Sequence, residues 1–70
     1  MSDGVYKVIE IIGSSAESWE EAGKNAVERA SQNLRELRIA EVVEQDLKLE
    51  NGKVAAYRTK LRVSFKFDGK

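Results

Sequence analysis

Between residues 54 and 67 the chain alternates by parity: Tyr57, Thr59, Leu61, Val63, Phe65 and Phe67 fall on one, Arg58, Lys60, Arg62, Ser64 and Lys66 on the other. Successive side chains of a strand point to opposite faces, so this pattern predicts a strand with one apolar and one charged face. Residues 38–50 show the same period, with Val43, Leu47 and Leu49 opposing Glu44, Asp46, Lys48 and Glu50. Asn51-Gly52 between the two runs marks a hairpin. A strict two-residue loop there would set the apolar face of one strand against the charged face of the other, because a slip of one residue turns every side chain over. A three-residue loop or a bulge is therefore expected. With that correction Glu44 sits opposite Lys60 and Asp46 opposite Arg58, and the charged face neutralises itself.

Upstream the period changes. Residues 5–12 are dense in β-branched and aromatic side chains, with Lys7 and Glu10 interposed, as in a largely buried strand. Gly13-Ser14-Ser15 reads as a turn. Ser18-Trp19-Glu20-Glu21 has the form of a capping box, in which the serine hydroxyl takes the amide of Glu21 and the Glu21 carboxylate reaches back to the serine amide. From there Trp19, Ala22, Ala26, Val27, Ala30, Leu34 and Leu37 recur at steps of three and four, the stripe of an amphipathic helix. Gly23 sits inside that helix at a cost of about 1 kcal/mol relative to alanine, and its alanine-rich surroundings point to close packing on a sheet. The expectation is an α+β domain over residues 1–70, ordered β-α-β-β, with one helix packed on a three-stranded antiparallel sheet.

Such a chain has difficulty standing alone. Seventy residues bury only roughly 60% of the surface their unfolded form exposes, and one helix does not cover two long strands. Disulfides, a metal or self-association supply what a small core lacks. Cysteine and histidine are both absent, which excludes disulfides and soft-ligand zinc or iron sites. Self-association remains, or a hard cation held by oxygens. Lys plus Arg number 12 and Asp plus Glu number 12, so no net field draws nucleic acid or an anionic membrane. The opening Met1-Ser2-Asp3-Gly4 lacks the charged and apolar regions of a leader, and no apolar run approaches the roughly 20 residues of a membrane span. A cytoplasmic location is expected.

Three stretches resemble the dodecin family: the opening strand running into Gly13-Ser14-Ser15, the mid-helix Ala26-Val27-Glu28-Arg29-Ala30, and Glu41-Val42 with Val63-Ser64-Phe65. The likeness runs from about Val5 to Phe67 without gaps. It implies a hollow homododecamer, twelve subunits of tetrahedral symmetry, that stores or buffers a small ligand. Flavin-binding members use a Trp just before the Glu-Val of the second strand and a Gln near the start of the third. Those positions are Ile39 and Arg58 here. With Gln45 nearby, they are the candidate cofactor-binding positions at or near the family's flavin pocket (riboflavin, FMN or FAD). Ile39 offers no flat π surface, and stacking is worth about 1–3 kcal/mol per ring by analogy with nucleobases. Arg58 has two readings: it attracts a flavin phosphate or stacks on the ring, or it simply pairs with Asp46.

The helix start Ser18-Trp19-Glu20 and the run Val43-Glu44-Gln45-Asp46 with Tyr57-Arg58 resemble a smaller branch of the family, one associated with calcium. Calcium takes six to eight oxygens, and no EF-hand spacing exists in this sequence. Around a symmetry axis one carboxylate becomes two or three, which makes Glu41, Glu44 and Asp46, with Glu50 beyond them, the candidate metal ligands. The competing reading is that each is a solvated or cross-paired charge. A structural oligomer without ligand also stays open. Trp19 reads as a core or subunit-contact residue. With no histidine or cysteine, and no carboxylate in an evidently apolar pocket, no nucleophile or general-base constellation assembles, so an enzyme is not expected.

Overall fold

The computed structural model describes residues 4–67; Met1-Ser2-Asp3, part of the opening read above as lacking the features of a leader, lies outside them. Strand β1 (Tyr6–Ser15), helix α1 (Trp19–Ser31), strand β2 (Leu37–Glu50) and strand β3 (Lys53–Lys66) follow in that order. They form one three-stranded antiparallel sheet in the order β1-β3-β2, with α1 on one face. The expected α+β architecture is therefore the observed one.

The hairpin resolves its register with bulges. Asn51 and Gly52 form a two-residue turn with φ of 53° and 76°, left-handed values that Asn and Gly tolerate. Glu50 pairs with Lys53 and Leu49 with Val54, but Lys48 pairs with Ala56, which leaves Ala55 as an extra residue. From there Asp46 faces Arg58 and Glu44 faces Lys60, as the charge pattern requires. A second irregularity leaves Val43 unpaired between Val42↔Leu61 and Glu44↔Lys60. This corrects the expected apolar face of β2: Val42 and Ala40, opposite Leu61 and Val63, take over from Val43 on the helix side.

Two boundaries also move. Gly13-Ser14-Ser15 is not a turn but the end of β1, paired with Thr59, Arg58 and Tyr57. Gly13 is there because α1 crosses it closely: a Cβ would run into the Ala22 carbonyl and the Ala26 methyl. The helix ends at Ser31, so Leu34 and Leu37, read as part of its stripe, lie beyond it. The amides of Asn33 and Leu34 still donate to the Ala30 carbonyl, and Glu36 turns the chain into β2 with φ of 60°.

At the helix start the Ser18 hydroxyl accepts the Glu21 amide at 3.0 Å, as expected of the cap. The reciprocal half differs. The Ser18 amide is directed to Ser15 Oγ at 3.4 Å, and the same hydroxyl accepts the Glu17 amide at 2.8 Å. The last residue of β1 thereby organises the entry to α1.

The core is small. Ala22, Ala26, Leu61 and Val63 are its buried apolar residues, with Ile9, Ile11, Val27 and Leu37 packed partly against it. Buried Thr59 satisfies its hydroxyl by donating to the Trp19 carbonyl at 2.8 Å. The helix lies over β1 and β3 and scarcely reaches β2, every residue of which after Leu37 is exposed.

Candidate functional site

The pairing register assigns every strand residue to a face. The face on which α1 packs carries Ile9, Ile11 and Gly13 of β1 and Val63, Leu61 and Thr59 of β3, and Ala40, Val42 and Gln45 of β2 lie on the same face beyond the helix's cover. The opposite, uncovered face carries four cross-sheet rows: Val8–Ser64–Ile39, Glu10–Arg62–Glu41, Ile12–Lys60–Glu44 and Ser14–Arg58–Asp46. All the charged candidates therefore share one surface, with the cations of β3 down its middle and carboxylates on the flanks.

The contacts along this ladder are graded. Arg58 grips Asp46 with two parallel hydrogen bonds, Nε to Oδ1 at 2.7 Å and a terminal nitrogen to Oδ2 at 2.8 Å, the fork-on-fork geometry that makes arginine–carboxylate pairs specific. Those hydrogen bonds, helped by the charges of Arg58 and Lys60, hold the Asp46 carboxyl below its usual range, and they raise Arg58 in turn. Arg62 donates to Glu10 at 3.0 Å and lies 3.8 Å from Glu41. Lys60 lies 3.7 Å from Glu44. Asp46 is thus locked, whereas Glu41 and Glu44 have side chains 63% and 66% exposed and only long contacts.

Asp46 has a second tie. Its backbone carbonyl accepts the indole N–H of Trp19 at 3.1 Å, and the Trp19 ring stands edge-on to Tyr57, centroids 5.2 Å apart. The first turn of α1 is thereby pinned to the β2–β3 hairpin. The sequence placed Trp19 among core or contact residues; in the chain it is the half-buried clamp between helix and hairpin.

The candidate cofactor positions do not meet. Ile39 is 67% exposed in the row of Ser64, and Arg58 lies six residues away along β3, roughly 20 Å at strand rise. Gln45, opposite Thr59, is on the other face of the sheet. The metal candidates are aligned on one strand face, yet among the described residues no three acidic side chains converge as a metal site would need. Among the described residues neither candidate set is brought together within one chain. Glu10 escaped the sequence pattern, because its partner Arg62 is 52 residues away and only the β1–β3 register brings them together.

The sequence matches the dodecin family profile over residues 5–68. The chain belongs to the dodecin family. It is 50% identical over 62 residues to a protein named calcium dodecin from Mycobacterium tuberculosis, covering 89% of this chain and 87% of that one. Among solved structures, dodecin from Streptomyces coelicolor superposes with a TM-score of 0.92 at 37% identity, over 100% of both chains. The calcium-chelating immunodominant antigen of M. tuberculosis, described as a calcium dodecin with a novel calcium-binding site, superposes at 0.83 with 49% identity, over 94% of each chain. The fold expected from the sequence is thus the fold of solved dodecins, and the dodecin-type binding protein read from the sequence is what the family match supports.

Proposed function

We propose that this dodecin is the single-domain subunit of a cytoplasmic homododecameric shell that binds and buffers a small ligand without catalysis, and that the ligand is calcium in preference to a flavin. The observation that carries the choice is the state of the two flavin-pocket positions. Ile39 presents an exposed aliphatic side chain where flavin-binding members stack a Trp, and Arg58 is committed to Asp46 by two short hydrogen bonds. A flavin arriving there gains no aromatic sandwich and must break a charge-assisted pair. The half-identical relative named for calcium points the same way.

Of the metal candidates, Glu41 and Glu44 suit a hard cation best, being exposed and only loosely paired. Asp46 suits it least, since Arg58 already occupies both of its oxygens. The site then requires carboxylates from neighbouring chains.

Calorimetry with calcium on chelator-treated protein tests this directly. Heat is expected with the unmodified chain and is expected to fall at least tenfold in affinity on Glu44→Gln or Glu41→Gln. Absence of heat rejects the calcium reading. Riboflavin fluorescence provides the counter-test: no quenching is expected at tens of micromolar flavin, and strong quenching would restore flavin as the ligand.

A further inference from the structure

Beyond the Ser15↔Tyr57 pair that ends β1, the β2–β3 hairpin continues over residues 48–56 without β1 beside it. A two-stranded ribbon is marginal alone, and such a segment opens locally at little cost in free energy. Its tip is Asn51-Gly52, a sequence in which the backbone amide reaches the preceding side-chain amide with least obstruction, since glycine carries no Cβ. Both residues are exposed, Asn51 holds a left-handed φ of 53°, and the space around Gly52 is open to 4 Å. Among the described residues neither the Asn51 side chain nor the Gly52 amide has a hydrogen-bond partner. The chain's other asparagines, Asn25 and Asn33, are placed differently. Asn25 lies inside α1, where the next amide belongs to the helix ladder, and its own side chain donates to the Ser14 carbonyl at 3.3 Å. After Asn33 the Leu34 amide donates to the Ala30 carbonyl at 2.9 Å.

We propose that Asn51 is a covalent modification site, converted without an enzyme to aspartate and isoaspartate, and that the bulge at Ala55 confines the damage to the hairpin tip. The Gly52 amide nitrogen gives up its proton to solvent base and attacks Asn51 Cγ. A new N–Cγ bond closes a cyclic imide, the Cγ–Nδ2 bond breaks, and Nδ2 leaves as ammonia with a proton drawn from solvent. Water then opens the imide at one carbonyl or the other, giving aspartate or isoaspartate. Water is the co-reactant and ammonia the leaving group, and nothing is oxidised or reduced.

Either product changes the tip. A carboxylate now adjoins Glu50, whose nearest cation is Lys48 at 3.9 Å, and the formally neutral chain becomes net negative. In the isoaspartyl form the Asn51 Cβ joins the main chain, so a turn closed by the Glu50↔Lys53 pair becomes longer than that pairing fits. The loss falls on Glu50↔Lys53 and Leu49↔Val54, the pairs beyond the bulge. On its other side the two hydrogen bonds of Arg58 to Asp46 and the Trp19 bond to the Asp46 carbonyl hold the register independently.

Peptide mapping of the folded protein, aged at mildly alkaline pH, tests this. Lys48 and Lys53 flank the site, so trypsin releases residues 49–53 as one peptide. Two heavier forms of it are expected, each carrying an acid in place of the amide, with the isoaspartyl form in excess and the peptides containing Asn25 and Asn33 unchanged. Asp3-Gly4 and Asp68-Gly69 rearrange through the same imide, but without a change of mass and outside this peptide. Because a frayed tip opens at almost no cost, the folded chain is expected to convert within roughly tenfold of the rate of the free 49–53 peptide. Residue 51 still wholly amide when the free peptide has converted overturns the proposal, as does equal conversion at Asn25 or Asn33. Gly52→Ala is expected to slow conversion roughly tenfold, since a Cβ then crowds the attacking nitrogen; an unchanged rate rejects the imide route. Emission of Trp19, the single tryptophan, is expected to be the same in aged and fresh protein, and a shift would overturn the confinement to the tip.

Discussion

Gly13 and Gly23 look alike in the sequence and behave oppositely in the fold. A Cβ on Gly13 collides with the backbone of α1, whereas one on Gly23 would sit 3.7 Å from Thr59 Cγ2 and 3.8 Å from Leu61 Cδ2, ordinary packing distances. Gly13→Ala should therefore push the helix off the sheet at a cost of about 1–3 kcal/mol. Gly23→Ala should stabilise by about 1 kcal/mol, the helix propensity difference. Chemical denaturation of the two variants checks both signs. The pair Arg58–Asp46 was readable from the alternation of β3, but its bidentate lock and its tie to Trp19 were not, because they depend on side-chain geometry that only the packed helix fixes. Because Asp46 titrates below its unfolded value, its contribution to stability is present above about pH 4 and lost as the pH falls through the folded value. Arg58, raised from an already high value, adds no pH dependence in the accessible range. Denaturation midpoints followed from pH 6 to pH 2 should fall less steeply for Asp46→Asn than for the unmodified chain; equal slopes would show that the pair carries no linkage. At the flavin positions, Ile39→Trp with Arg58→Gln should create riboflavin quenching where the parent shows none. An assembled double variant without quenching means that these two positions do not form the pocket.

At the scale of elements, the strands and the bulge in the hairpin were legible because period-two alternation reports the faces directly. Two opposing face patterns joined by Asn51-Gly52 require a three-residue loop or a bulge, and the bulge is what forms. The second irregularity, at Val43, was hidden: Val42 and Val43 are adjacent valines, and nothing local says which one faces the helix. The end of α1 was overrun because Leu34 and Leu37 continue a three-and-four spacing even though they belong to the connection and to β2. The turn assigned to Gly13-Ser14-Ser15 followed composition, whereas glycine there answers to a helix crossing above it. The role of Ala55 as the extra residue makes a sharp expectation. Its deletion leaves a hairpin in which either the tip or the charged ladder must turn over, so the thermal transition should drop, whereas Ala55→Ser, which keeps the residue count, should leave it nearly unchanged.

At the scale of the whole molecule, a compact chain of seventy residues has a radius of gyration of about 11 Å, and this one has 14.4 Å, with extents of 52 × 20 × 17 Å. Strands of 14 residues outrun a helix of 13, since a strand rises about 3.3 Å per residue and a helix 1.5 Å. The sequence already held this mismatch in its element lengths. It could not locate the candidate site, because within one chain Ile39 and Arg58 lie six residues apart along the sheet and no three acidic side chains of the described residues converge. On the proposed reading of this chain as a shell subunit, the side of β2 that the helix misses is completed by neighbouring copies. Size-exclusion chromatography with light scattering at low micromolar concentration tests that claim most directly. A folded assembly of twelve chains is the predicted result, and a well-folded single chain at that concentration would contradict it.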